Sequence, residues 1–167
     1  VKKAKETAIG KVIVATEDKE IMTAVEKNGG KVILTGKHNT GTDRIFEAFQ
    51  KLKTKDVDYV LNLQGDEPMI DPKDIINLNN LMIKNNSEIG TLASVIKDNT
   101  ILNNENVVKV ITKEKLEKNN FTKAINFSRK NLSKQNSNIY HHIGIYAYKI
   151  SVLEKFINLN QTKNEIE

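Results

Sequence analysis

Cysteine is absent from the 167 residues, which excludes a disulfide framework, a cysteine-ligated zinc finger and a thiol nucleophile. A reducing compartment is compatible with this, and a cytoplasmic location is expected. No apolar run approaches twenty residues and the mean hydropathy is -0.47, so no membrane-inserting helix is expected. The start, Val1-Lys2-Lys3-Ala4-Lys5-Glu6, lacks the apolar stretch of a signal peptide. It also lacks an initiator Met, and the chain is expected to begin inside a longer reading frame. Aromatic residues make up only 5%. Arginine is scarcer still: Arg44 and Arg129 are the two present, although the net charge is +5 and the pI about 9.2. The remaining basic residues are lysines spread evenly along the chain. A nucleic-acid surface needs clustered cations, often interleaved with aromatics, and neither pattern is present. The scarcity of arginine gives weight to the two that remain, because a guanidinium fork grips carboxylates and phosphates in a way that lysine does not.

The length fits one domain with a sizeable core. Residues 11–16 and 31–35 are short β-branched runs and read as strands. Between them, residues 18–28 carry Ile21, Met22 and Val25 at helical spacing, and Asn28-Gly29-Gly30 stops the helix. Residues 42–53 read as a helix through Ile45, Phe46, Phe49 and Leu52, and 59–63 as a third strand. Asp71 and Pro72 are an N-cap and a first helical residue, opening a helix that runs to about Asn85. Such alternation implies an α/β fold with a parallel sheet covered by helices. The second half changes character. Residues 89–97, 107–112, 124–128 and 141–149 read as strands, 99–106 and 130–138 as polar loops, and a last helix starts near Ser151. The chain therefore divides into an α/β half, 1–88, and a β-rich half, 89–167.

Three clusters could carry chemistry. Leu63-Gln64-Gly65-Asp66-Glu67-Pro68 ends a strand, where open α/β sheets bind ligands. Gly65 permits a tight turn there, and Asp66 is a hard oxygen donor suited to Mg²⁺. An ordinary polar turn is the competing reading. His38-Asn39-Thr40-Gly41-Thr42-Asp43-Arg44 leads into a helix N-terminus, whose free N–H groups favour anionic or oxygen-rich ligands. Thr40 or Thr42 would serve equally as a simple cap. Arg44 opposes the helix dipole, so it answers either to a ligand or to a surface carboxylate. Third come Phe127-Ser128-Arg129 and His141-His142-Ile143-Gly144-Ile145-Tyr146. In a strand, His142, Gly144 and Tyr146 share one face. That face is either a polar shelf for a sugar or a set of satisfied, partly buried polar groups.

Taken in order and spacing, Val12-Ile13-Val14-Ala15-Thr16-Glu17-Asp18, Gly41-Thr42-Asp43-Arg44, Gln64-Gly65-Asp66-Glu67-Pro68, Phe127-Ser128-Arg129 and His142-Ile143-Gly144-Ile145-Tyr146 resemble the 3-deoxy-manno-octulosonate cytidylyltransferases. The similarity runs from about Ala4 to the end of the chain. It implies a Rossmann-like, mixed, mostly parallel sheet with helices on both faces, of the nucleotide-diphospho-sugar transferase type. It also implies transfer of CMP from CTP to the anomeric hydroxyl of 3-deoxy-D-manno-octulosonate (Kdo), with release of pyrophosphate, for lipopolysaccharide synthesis. The implied cofactor is Mg²⁺ and the implied assembly a homodimer. By the same resemblance Asp66 is the metal ligand, and Gln64 touches the sugar or the ribose. Thr42 and Arg44 help to form the cytidine pocket. Arg129, His142 and Tyr146 line the sugar site.

The departures carry their own expectations. The family opens with a strand and a loop rich in Arg, Ser, Lys and Pro that cradles the triphosphate, and nothing before Val12 matches it. It also carries a Glu-Gln-Leu-Arg helix and a further Asp beyond the position of Glu167. Thr40 stands where Ser is frequent, and Lys149 where Arg is common. The chain is therefore expected to be a single incomplete domain, truncated at both ends and inactive alone. The missing strand belongs between the strands at Val12–Val14 and Val60–Leu63, leaving hydrophobic edges. Two further readings are a non-catalytic nucleotide- or sugar-binding module of the same fold, and a cytidylyltransferase for another acidic sugar.

Overall fold

The structure is a computed structural model, and it describes residues 1–98, 100–130 and 138–160. The helices and strands are α1 (Lys2–Glu6), β1 (Val14–Thr16), α2 (Lys19–Lys27), β2 (Val32–Leu34), α3 (Gly41–Leu52), β3 (Tyr59–Asn62) and α4 (Pro72–Asn85). They continue as β4 (Ile89–Val95), α5 (Thr100–Asn103), β5 (Lys109–Thr112), β6 (Ala124–Ser128), β7 (Ile139–Lys149) and α6 (Ile150–Phe156). The expected alternation in the first half is present. The Asp18 carboxylate accepts from the N–H groups of Glu20 and Ile21 to start α2, and Gly29 at φ 66° ends it. Asp71 caps α4 through the Lys73 N–H, with Pro72 at the first helical position. Two short helices escape the sequence reading. α1 and α5 have five and four residues, too few for a hydrophobic period to register. α5 lies inside the expected loop at 99–106. It starts where the Asp98 carboxylate accepts from the Thr100 N–H. Most of the expected loop at 130–138 lies outside the described residues.

The strands form two sheets. β1 and β2 pair in parallel, with α2 and α3 packed against them. The five-stranded sheet has the order β3-β7-β5-β6, with β4 also on β7. All four pairings in that sheet are antiparallel. The mixed α/β architecture holds, but parallel pairing is confined among the described residues to β1–β2. The cause is β7: at eleven residues it is long enough to pair with β3, β4 and β5, and it runs against all three. β1 and β3, the strands expected to flank a missing one, do not pair with each other.

The core lies between α4 and the sheet. Leu78 and Met82 pack on Ile145 and Ala147, with Tyr59, Leu61, Phe121 and Ile143 at the margin. Alternate β7 residues face this core, so His142, Gly144, Tyr146 and Tyr148 face the other way. Gly90 on β4 is a point of close approach to α4. A Cβ there would stand 2.6 Å from Met82 Sδ, 3.1 Å from Phe121 Cζ and 3.3 Å from Leu78 Cδ1. Gly90→Ala is therefore expected to destabilise the fold by about 1–3 kcal/mol, the usual cost of overpacking. Urea denaturation measures it, and an unchanged midpoint would refute the close approach.

Candidate active site

β7 is irregular at its centre. Thr91 on β4 is opposite Tyr146, while the next β4 residue, Leu92, is opposite Ile143. Gly144 and Ile145 therefore bulge out of register, a device that re-aims side chains beside a site. The Thr91 hydroxyl occupies the bulge. It lies 2.7 Å from the Ile145 carbonyl, 3.2 Å from the Ile143 carbonyl and 3.0 Å from His142 Nε2. A hydroxyl has one proton to give, and the Ile145 carbonyl is the nearest acceptor. His142 then donates Nε2–H to Thr91 and keeps Nδ1 as an acceptor.

A cleft of about 400 Å³ opens in front of the bulge. Its lining brings together Gln64 and Asp66 from the turn after β3, Phe127 and Arg129 from the end of β6, and His142, Gly144 and Tyr146 from β7. Five of the seven expected site residues thus meet at one place. Thr42 and Arg44 are not among its lining residues. Thr40, not Thr42, caps α3, accepting from the Asp43 N–H. Thr42 Oγ1 lies 3.3 Å from the Tyr148 hydroxyl. The Arg44 guanidinium donates to Thr35 Oγ1 at 3.1 Å and pairs with Glu17 at 3.6 Å. The start of α3 nevertheless borders the cleft through Gln64. A Cβ on Gly41 would stand 3.9 Å from Gln64 Nε2, and one on Gly144 3.8 Å from the same carboxamide. Gln64 lies between the two glycines, in space that larger side chains would restrict. The loop before α3 is fixed by Glu47, whose carboxylate accepts from Lys51, His38 and the Gly36 N–H. These contacts, Lys51 foremost, hold its pKa down at about 2.

The aromatic face of β7 is continuous. Phe127 meets His142 edge-on at 5.0 Å, His142 meets Tyr146 at 5.4 Å, and Tyr146 stacks on Tyr148 at 5.8 Å. Burial governs the protonation of these groups. It pushes the Tyr146 hydroxyl up to about 12, with the neighbouring Tyr148 adding to the shift. It lowers His142 to about 4 from its usual 6.5, with a smaller contribution from His141. At neutral pH both are uncharged, so they can orient a polyol without competing for an anion.

The sign of the His142 shift fixes its effect on stability. The unfolded chain takes up the proton near pH 6.5 and the folded chain only near pH 4. Stability from this group is whole above about pH 6.5, falls as the pH drops through that window, and levels off below it. For a half-buried ring screened by solvent the loss is roughly 1–2 kcal/mol. His142→Asn is therefore expected to flatten melting temperature against pH between 6.5 and 4. A profile parallel to that of the parent would count against a neutral His142.

Asp66 and Gln64 are exposed on the turn after β3, where the sheet stops and ligands have access. The described residues hold no cluster of three metal-ligating side chains. A single accessible carboxylate still fits Mg²⁺, which commonly takes one or two protein oxygens and completes its shell with phosphates and water. The Arg129 guanidinium donates to the Asn106 carbonyl at 3.1 Å, and no carboxylate pairs with it among the described residues. Sequence reasoning missed Asn106, Val107 and Val108, and gave no role to His141 of the third cluster; these four complete the lining. Asn106 sits in an Asn-rich stretch where nothing local marks it. The valines read simply as strand, although the polypeptide passes the cleft before β5 begins.

The cleft joins a metal-compatible turn to a polar, uncharged shelf beside the Arg129 guanidinium, which has no carboxylate partner among the described residues. Known proteins resemble this chain in sequence and fold. A family model described as cytidylyltransferase matches residues 1–167. The 3-deoxy-manno-octulosonate cytidylyltransferase of Thermodesulfovibrio yellowstonii is 41% identical over 94% of this chain and 66% of its own length. The enzyme of that name from Bartonella tribocorum is 38% identical over 98% of this chain and 67% of its own. The chain thus spans about two thirds of the length of these relatives. Among solved structures, CMP:2-keto-3-deoxy-manno-octonic acid synthetase complexed with CTP superimposes with a TM-score of 0.85 at 32% identity, over 99% of this chain and 67% of that one. A 4-diphosphocytidyl-2C-methyl-D-erythritol synthase from Anaerococcus prevotii, at 16% identity and a TM-score of 0.53, shares the fold alone. With the family model covering it from end to end and the Rossmann-like α/β fold in common, the chain belongs to the cytidylyltransferase family.

Proposed function

We propose that this chain carries the substrate cleft of a CTP:Kdo cytidylyltransferase, which joins CMP to the anomeric hydroxyl of Kdo and releases pyrophosphate. The observation that carries the reading is the convergence of Gln64, Asp66, Arg129, His142 and Tyr146 on one cleft. The relatives named for this reaction and the CTP-bound structural neighbour support the choice of nucleotide and sugar. In the reaction the anomeric oxygen forms a bond to the α-phosphorus as the bond to the pyrophosphate oxygen breaks. Such transfer depends on positioning and charge neutralisation, with no covalent protein intermediate required.

Each residue then has a part. The Arg129 fork binds the sugar carboxylate, because a guanidinium offers paired donors to a planar anion. His142 and Tyr146, both neutral, hold sugar hydroxyls. The Gln64 carboxamide bridges the sugar side at Gly144 and the nucleotide side at Gly41. Thr42 and Arg44 shape the cytidine end from α3. Asp66 holds Mg²⁺, which when bound lowers the pKa of a coordinated hydroxyl and offsets phosphate charge. The division of labour assigns nucleotide binding mainly to residues 1–88 and sugar binding mainly to 89–167. A cytoplasmic homodimer is the setting in which we place the enzyme.

A coupled pyrophosphate-release assay tests the reading. The protein as its gene encodes it is supplied with CTP and Mg²⁺, with and without Kdo. Release that depends on Kdo is expected. CTP binding without Kdo-dependent release, or release with a different acidic sugar only, would overturn the choice of sugar.

A further inference from the structure

Among the described residues Lys109 is the fully buried lysine. It interrupts the apolar run Val107-Val108-Lys109-Val110-Ile111 and is 0% exposed. An ammonium without access to water is costly unless its donors are satisfied. No carboxylate pairs with it among the described residues. Its Nζ donates instead to two main-chain carbonyls, Arg129 at 2.6 Å and Asn104 at 3.0 Å. Burial holds its pKa below the ordinary lysine range, and the nearby Arg129 charge acts in the same direction, against Glu105.

The two carbonyls belong to the wall of the cleft. Arg129 closes a second bond by donating Nη1 to the Asn106 carbonyl. The turn from Asn104 to Asn106 is tied by the Asn106 N–H on Asn104 Oδ1 and the Val107 N–H on the Asn104 carbonyl. These bonds form a closed circuit: Lys109 to Arg129, Arg129 to Asn106, through the turn to Asn104, and back to Lys109. Arg129 stands at the end of β6, an edge strand in the described sheet, and its guanidinium is exposed. Lys109 is the member of the circuit that lies on a strand paired on both sides, opposite Ser128 of β6 and His141 of β7. We propose that Lys109 is a positioning residue that holds Arg129 at the cleft wall and so sets affinity for the acidic sugar. The substrate named here rests on the function proposed above; the Lys109–Arg129 link does not.

Two variants and two readouts test this in the protein as its gene encodes it. Lys109→Met keeps the volume and removes every donor, while Lys109→Gln keeps a shorter donor. In steady-state assays Lys109→Met is expected to raise the KM for Kdo about tenfold, as displacement of a binding group does. The KM for CTP and kcat should stay within about threefold of the parent, and Lys109→Gln should fall between the two. Added to Arg129→Ala, Lys109→Met should change little further, because coupled residues are not additive. A matched rise in both KM values, additive effects, or failure of both variants to fold would overturn the proposal in favour of a purely structural lysine. The second readout needs no substrate. With only Arg44 and Arg129 in the sequence, the two arginine Nε–H resonances are assigned with one variant. Lys109→Met should move or broaden that of Arg129 and leave that of Arg44 in place. An unmoved Arg129 signal would sink the link. If the parent does not use Kdo at all, the proposed function falls while this readout still decides the role of Lys109.

Discussion

Asp66→Asn is expected to lower kcat by about 100-fold or more, with CTP affinity changed by less than about threefold. The substitution keeps size and hydrogen bonding and removes one negative charge. Asp66 is the cleft carboxylate on the turn after β3, exposed where phosphates and a divalent cation have access. Mg²⁺ draws strongly on anionic oxygen, and an amide oxygen is a poorer substitute. On the proposed reading the base and ribose bind toward α3, so ground-state binding of the nucleotide should survive. Turnover at saturating Mg²⁺ is the measurement, with CTP binding followed separately by calorimetry. Unchanged turnover would remove Asp66 from the metal site. Loss of CTP binding in step with turnover would make it a simple binding residue.

Arg129→Ala is expected to raise the KM for Kdo by roughly thirtyfold, corresponding to about 2 kcal/mol for a charged hydrogen-bonded contact. The KM for CTP should hardly move. The guanidinium already spends one N–H on the Asn106 carbonyl, which orients the fork and leaves further donors for a carboxylate. Arg129→Lys should recover only part of the loss, since an ammonium lacks the planar, paired donors. A Kdo analogue with its carboxylate reduced to an alcohol provides the complementary test. If Arg129 grips the carboxylate, the parent should lose affinity for that analogue and Arg129→Ala should lose nothing more. Equal discrimination by parent and variant would assign the carboxylate to another group.

Local signals made most of the fold legible. Asp18, Thr40 and Asp71 cap the helices that their positions announce, with Thr40 chosen over Thr42. Strand alternation alone puts His142, Gly144 and Tyr146 on one face, and the cleft lies on that face. The irregularity opposite Thr91 was not legible, because a bulge depends on what the partner strand offers. Nor was the sheet into which β3 would fall. Its sequence, apolar on both faces, suits a parallel neighbour as well as the antiparallel β7 it pairs with. Arg44 illustrates the limit from another side. A cation at a helix start invites a ligand reading, and only its distance to Glu17 and Thr35 reveals the partners it has.

The sequence by itself determined the α/β class, the helix boundaries set by caps, and the motif Gln64-Gly65-Asp66-Glu67-Pro68 whose residue types suit phosphate and metal. These follow from short-range physics: backbone capping, side-chain period and donor chemistry act within a few residues. Only the tertiary structure decided which elements share a sheet, that segments more than sixty residues apart close one cleft, and that Lys109 lies buried beneath Arg129. Those outcomes depend on long-range pairing through β7 and on burial. Neither is encoded at any one position, because each depends on what the rest of the chain brings alongside.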